Sequence, residues 1–223
     1  MYQPIIILAS SRKNGGICLA GKRHGMGEWV RPVSVQPGQA WSVRSLHYVA
    51  GCVPQVGERF LLPLGHSVPD AYQRENCSVR FAPWRAAGRL STRELEKLAD
   101  KPSALWLNGW HSVHGWNDRI PALIAAQRCD SSLLLIRPDA LRFRLDQAGC
   151  ELALRAVFDY RGQHYDLKVT DDPVRARWIE RLAEGHDGRA DALLCISLGQ
   201  AFQGYCYKLA AGVIELPDQG STL

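Results

Sequence analysis

The first segment with a chemical signature follows an apolar run near the start of the chain. Ser10, Arg12 and Lys13 come directly after the apolar residues 4–9 and precede an Asn-Gly-Gly turn. Hydroxyl groups, two cations and the free amides of glycines together suit a phosphate group. We therefore predict a phosphate contact at these three residues, with a solvated hairpin tip as the alternative.

A second group lies on the strand predicted over residues 29–34. Trp29 and Arg31 are two positions apart, so a strand places both side chains on one face. An aromatic ring and a guanidinium side by side can stack on a base and hold its phosphate. The alternative is structural, with Trp29 in the core and Arg31 in a salt bridge.

A third group is the polar block of residues 72–76. Tyr72 could stack on a base, and Gln73 and Asn76 could bind base edges. Glu75 repels phosphate unless it binds an amino group, pairs with arginine or holds a metal ion. A structural network joining the two halves of the chain is one alternative, and an enzyme that uses Glu75 as general acid or base is another.

Motifs for metal binding and for catalysis are weak. His111, His114 and Asp118 have an HxxH spacing with a following carboxylate, but no HExxH helix or cysteine pair accompanies them. A nucleophile elbow, a Walker loop and a dinucleotide fingerprint do not occur in the sequence. We predict no metal, no cofactor and no committed catalytic residue, with Glu75 as the catalytic alternative.

Charge is distributed unevenly along the 223 residues. Residues 1–90 contain 11 basic and four acidic side chains, whereas the remainder contains 16 basic and 18 acidic ones. A basic half beside a mildly acidic half indicates that the first half meets a polyanion. The alternative is coding bias, because 21 of the 27 basic residues are arginine.

Composition and cysteine content indicate the cellular setting. No apolar run approaches the roughly 20 residues that a membrane span needs, and no signal peptide is recognisable. The seven cysteines are an odd number without a CxxC pair, which is typical of reduced core thiols. The sequence predicts a soluble cytoplasmic protein that does not contact a membrane.

Most of the secondary-structure elements predicted along the chain are strands. Two helices are predicted, one over residues 92–99 with a capping box at Ser91 and Glu94, and one that starts with Asp172 as its cap and ends at Gly185. The predicted fold class is mainly β with a few short helices, arranged as two OB-like small β-barrels (oligonucleotide/oligosaccharide-binding barrels). The predicted domains are an N-terminal barrel with a long loop and helix insertion, 1–128, and a C-terminal barrel, 129–223. The strands are predicted at residues 4–9, 17–22, 29–34, 56–64, 132–136, 140–146, 152–160, 165–170, 193–198 and 205–215.

Several sequence blocks resemble the prokaryotic dual OB-containing domain family. They occur in order over nearly the whole chain, and the resemblance implies two OB-like barrels and association with nucleic acid. Fold alone does not decide function. The blocks are residues 7–13, 16–22, 29–34, 72–76, 165–171 and 194–199.

We predict a non-catalytic module that binds nucleic acid, single-stranded by preference, or a nucleotide, through the basic N-terminal half. One alternative is an enzyme acting on a nucleotide or nucleic acid. A further alternative is an interaction subunit of a defence or repair assembly, with a protein partner. The predicted binding residues are Ser10, Arg12, Lys13, Trp29, Arg31, Tyr72, Gln73 and Asn76.

Overall fold

A computed structural model describes residues 2–13, 15–34, 40–80, 82–148 and 151–217. The chain divides into two compact units, one of residues 1–98 and 126–133, the other of residues 99–125 and 134–223. Both are built on β-sheets, and the described residues contain four short helices. The prediction of a mainly β chain with a few short helices is therefore confirmed. The domain division between residues 128 and 129 stays a prediction.

The first unit contains a seven-stranded sheet that curls into a half-barrel. The strands are β1 (Gln3–Lys13), β2 (Gly16–Arg23), β3 (Trp29–Val33), β4 (Glu58–Leu62), β5 (Leu64–Ser67), β6 (Asn76–Val79) and β7 (Arg85–Arg89). The strand order is β5-β6-β3-β2-β1-β4-β7, in which β3 and β6 are parallel and the other pairs antiparallel.

The hairpin of β1 and β2 lies in the middle of this sheet. Its register shifts between Ile7 and Ala9, and a bulge of this kind increases the local twist of a strand. Gly15 in the connecting turn has a φ of 77°, which glycine adopts without strain. One face of the sheet packs an apolar core that includes Trp41 and Trp84, whose rings meet edge to face with centroids 5.4 Å apart.

Helix α1 (Val43–Ala50) lies between β3 and β4 and was not predicted. Ser42 caps its first turn by accepting a hydrogen bond from the Ser45 amide, and Gly51 ends it with a φ of 75°. Leu46 and Val49 are buried on one side. The helix is only eight residues long, so helical periodicity extends over about two turns and did not reveal it.

Helix α2 (Thr92–Glu96) begins at the predicted capping box, which both Ser91 and Glu94 complete. It ends three residues before the predicted boundary. Helix α3 (Ala122–Arg128) follows a short strand and was also not predicted. Across the residues that the structure describes, no helix combines the length and apolar character needed to cross a membrane.

The second unit is built on another seven-stranded sheet. The strands are β8 (Arg119–Pro121), β9 (Leu133–Ile136), β10 (Asp139–Ala148), β11 (Glu151–Tyr160), β12 (Gln163–Val169), β13 (Ala192–Phe202) and β14 (Tyr205–Glu215). The strand order is β10-β11-β12-β14-β13-β9, and β8 pairs with β14 outside this path.

Helix α4 (Asp172–Ala183) crosses between β12 and β13 and buries Trp178 against Phe143. Its N-cap is Asp171, one residue before the predicted cap. One carboxylate oxygen of Asp171 accepts the Val174 amide at 3.3 Å, and the other accepts the Val213 amide at 3.0 Å. This carboxylate therefore ties the helix to strand β14.

The cysteines follow the prediction of core thiols in most positions. The six cysteines within the described residues are free thiols. Four of them are buried, Cys18 is half-buried and Cys52 is exposed. Cys150 lies outside the described residues.

Candidate functional site

The end of β1 carries the first predicted group. Ser10 is half-buried and Arg12 is exposed, while the side chain of Lys13 lies outside the described residues. Ser10 pairs with Leu19 and Arg12 with Ile17 across the hairpin. Directly paired residues share a face, so Ser10 and Arg12 stand at the rim of the face that carries the core.

Arg31 and Glu75 form an ion pair beside the parallel strands β3 and β6. Arg31 Nη2 lies 3.6 Å from Glu75 Oε1, and the two side chains are 12% and 5% exposed. Ser132 Oγ donates to the same carboxylate oxygen. The Arg31 amide also donates to the Glu75 carbonyl at 2.8 Å. The sequence block around residue 75 and strand β3 are therefore joined by both backbone and side-chain contacts.

Tyr72, Gln73 and Asn76 lie in the same region, and each is 5% or 6% exposed. Asp70 and Gln73 exchange backbone hydrogen bonds in a tight turn, which brings the chain to β6. Asn76 pairs with Arg31 in the parallel register. The predicted polar block thus adjoins Arg31, but its side chains are buried.

Two acceptors in this block have no hydrogen-bond partner among the described residues. They are Glu75 Oε2 and Asn76 Oδ1, both screened from solvent. Buried polar atoms are nearly always satisfied by protein or water, so these two atoms have unused capacity for a donor.

Trp29 is half-buried on β3, with the Lys22 ammonium 5.0 Å from its ring centroid. Lys22 is itself buried, and its Nζ donates to the Leu98 carbonyl at 2.7 Å. Val30, between Trp29 and Arg31, faces the core. Trp29 and Arg31 therefore lie on the face of the sheet opposite to Ser10 and Arg12, and the predicted set forms two groups.

The second unit holds a cluster of charged side chains that sequence reasoning missed. Arg155 Nε donates to Asp166 Oδ1 at 2.6 Å, and Arg144 Nη2 donates to Asp166 Oδ2 at 2.6 Å. Burial alone would lower the pKa of Arg144, but the hydrogen bonds and charges of Asp166 and Asp146 outweigh it and raise the pKa. We call the five residues Asp118, Arg144, Asp146, Arg155 and Asp166 the ion cluster.

The ion cluster fixes the loop of residues 106–118, which we call the platform loop. Asp118 accepts the Ser112 amide at 2.7 Å and its hydroxyl at 2.5 Å. Arg144 Nη2 donates to the His114 carbonyl at 3.0 Å. A Cβ atom at Gly115 would overlap with the Asp118 carboxylate and the Arg155 guanidinium. The loop is therefore packed directly onto the charged groups.

The residues of the weak HxxH motif have other contacts in this loop. His111 Nδ1 accepts the Asn117 amide at 2.9 Å, and His114 Nδ1 lies 3.0 Å from Asp146 Oδ2. Asp118 uses both oxygens for Ser112. Within the described ranges, no group of three or more histidine, cysteine or acidic residues is placed to hold a metal ion.

One signal in the sequence could have indicated the ion cluster. Arg144 and Asp146 alternate with apolar residues on β10, as Asp166 does on β12. These positions face away from the core. Which of them meet depends on the register of three strands and on the loop above them, and neither is encoded locally.

Both units are built on β-sheets, and the sheet of the first unit is a curled half-barrel. A family model described as Dual OB-containing domain matches residues 3–213. The chain belongs to the dual OB-containing domain family, and the prediction of two OB-like barrels is confirmed. Searches of curated proteins and of solved structures found no significant match.

Proposed function

We infer that this dual OB module binds nucleic acid, with the phosphates of a single strand held on the first unit. Ser10, Arg12 and Lys13 would contact phosphate at the end of β1. Binding would take place in the cytoplasm and would involve no reaction.

The observation that carries this proposal is the excess of cations on the first unit. Residues 1–90 have 11 basic against four acidic side chains. Six of these arginines are exposed, and they belong to β1, α1, β7 and the chain on either side of β6. Phosphate contacts by such side chains supply most of the affinity for single strands. The six are Arg12, Arg44, Arg74, Arg80, Arg85 and Arg89.

Arg31 has a different environment from Arg12, so a structural role is an alternative to phosphate contact for Arg31. The guanidinium of Arg31 is largely buried beside Glu75, whereas Arg12 is exposed. A phosphate contact by Arg31 would use the small exposed part of its side chain. A structural role would instead keep the guanidinium on the carboxylate, because a buried charge without its partner is costly.

The test is the affinity for a labelled single strand of about 12 nucleotides, measured by fluorescence polarisation over a series of salt concentrations. We expect the affinity to fall steeply with salt, and Arg12→Ala to reduce the slope by about one. The matched control is Arg137→Ala in the second unit, whose side chain pairs with Asp191 at 2.8 Å. The control should leave the slope unchanged.

Arg31→Ala separates the two roles of this residue. A slope reduced by about one, with unchanged stability, supports a phosphate contact. An unchanged slope with a lower free energy of unfolding assigns Arg31 to the buried network and confines the phosphate site to the β1 end. No salt-dependent binding by the unmodified chain would overturn the proposal.

Two alternatives have their own readouts. An enzyme acting on a nucleotide through Glu75 requires turnover of the bound strand, and Glu75→Gln would then bind normally but convert nothing. An interaction subunit would co-purify with a stoichiometric protein partner and would not bind the strand.

A further inference from the structure

Many contacts hold the backbone of the platform loop in a fixed position. Its start is fixed by Lys208, which is 1% exposed and donates to the Leu107 carbonyl and to Asn108 Oδ1, both at 2.8 Å. Its end is fixed by Trp116, which exchanges backbone hydrogen bonds with Asp166 at 3.3 and 3.0 Å.

The backbone conformation of this loop is also unusual. Trp106 and Asn117 have φ angles of 56° and 50°, in the left-handed region, which a bulky residue such as Trp106 rarely adopts and asparagine adopts more readily. Asn117 is held there because its Oδ1 accepts the Gly109 amide and its Nδ2 donates to the His164 carbonyl. Strained positions of this kind persist where surrounding contacts fix them, and they cluster at functional sites.

What this rigid loop presents to solvent is an aromatic plane. The ring of Trp116 stacks on His111 with centroids 3.9 Å apart and planes 20° from parallel. His111 is oriented in turn by the Asn117 amide at its Nδ1. Trp116 is nevertheless 50% exposed. Because His111 covers one face of the ring, the opposite face is the one on which a further flat group can stack.

We propose that Trp116 is a stacking platform for one base of the bound strand. It would be a contact site on the second unit, in addition to the phosphate site on the first unit. The base would lie on the open face of the ring and continue the stack that begins with His111. This inference rests on the proposed function, and it goes beyond that function because the predicted binding residues all belong to the first unit.

The charges around the platform favour a base over a phosphate. The ion cluster contains two guanidinium groups against three carboxylates, so it has no excess of positive charge. A phosphate group would gain little there, whereas a flat base gains stacking energy that salt screens only weakly. Trp116 should therefore contribute affinity without contributing to the salt dependence.

The experiment compares Trp116→Ala, Trp116→Phe and the unmodified chain with the same labelled strand. We expect Trp116→Ala to weaken binding roughly five- to hundred-fold, by the usual size of a base–aromatic contact. The factor should be the same at low and at physiological salt. Trp116→Phe should retain part of the affinity. A strand of equal length without bases should bind the unmodified chain and Trp116→Ala equally.

The matched control is Val113→Ala on the same loop, because Val113 is 98% exposed and has no planar group. Unchanged binding by this control supports stacking. Equal losses in Val113→Ala and Trp116→Ala would show that the loss does not depend on the aromatic ring and would overturn the platform. Unchanged binding by Trp116→Ala, with salt-dependent binding intact, would overturn the platform and leave the proposed function standing. No binding by the unmodified chain would overturn both.

Discussion

Asp166→Ala removes the carboxylate at the centre of the ion cluster, and the structure indicates how large the effect should be. Three charge-assisted hydrogen bonds are lost, from Arg155 Nε at 2.6 Å and from Arg144 Nη2 and Nε at 2.6 and 3.1 Å. The Arg155 side chain is 5% exposed, so its charge stays buried. Breaking such a pair costs about 3–5 kcal/mol, a large part of the ~5–15 kcal/mol that stabilises a typical domain.

Arg144 should contribute much less to this loss. Its side chain is 40% exposed, so water can solvate the guanidinium once the carboxylate is gone. Arg144→Ala should therefore lower the free energy of unfolding by about 1 kcal/mol or less through its ion pairs. The contrast between the two variants separates a buried charge from a partly solvated one.

The assay is equilibrium unfolding in urea, followed by tryptophan fluorescence. A loss of 3–5 kcal/mol should lower the midpoint for Asp166→Ala by roughly 2 M, given a typical urea dependence. The double variant Arg155→Met with Asp166→Leu should recover part of the stability, because the buried guanidinium is removed together with its main partner, while Asp118 loses the cation 3.8 Å away. A loss below about 1 kcal/mol for Asp166→Ala would refute the reasoning, since Asp118, 3.8 Å from Arg155, would then suffice for the charge.

Two further predictions concern the same unit. Gly115→Ala should lower the free energy of unfolding in urea by about 1–3 kcal/mol, because the new methyl group meets the Asp118 carboxylate and the Arg155 guanidinium. Gly199→Ala is the control, because a Cβ atom fits at that position, and it should change stability little; equal effects of the two variants would contradict the packing argument. Burial raises the pKa of Asp171 above 3.8 despite the two amides that bind it, so its contribution to stability is present below the unfolded pKa and is lost as the pH rises through the folded value. Asp171→Asn should be less stable by about 1–3 kcal/mol at low pH, because one acceptor is lost, and the deficit should shrink as the pH rises through that range; a deficit that grows would refute the sign.

The two units combine two kinds of contact in the proposed complex. Phosphate contacts on the first unit should give affinity that depends on salt, and the Trp116 platform should give affinity that depends on bases. A chain with both would prefer single strands to duplexes, because duplex bases are already stacked on one another. Comparing the two polymers at one salt concentration checks this preference.

The sequence by itself determined the parts of this protein that depend on local pattern. A continuous apolar run indicated β1, and alternating apolar residues indicated β10 and β11, because a strand exposes successive side chains to opposite faces. Ser91 and Glu94 marked the start of α2, because a capping box is complete within four residues. Helix α1 was missed because its eight residues offer only about two turns of helical periodicity.

Only the tertiary structure decided which of the chemically interesting residues meet. Arg31 met Glu75 through the parallel pairing of strands 45 positions apart, from Arg31 to Asn76 in sequence. The ion cluster needed the register of three strands and a loop from earlier in the chain. Burial of a polar side chain depends on what covers it, and that cover comes from segments distant in sequence. The sequence could therefore indicate residues able to bind a strand, while exposure, pairing and a rigid aromatic plane were fixed by the fold.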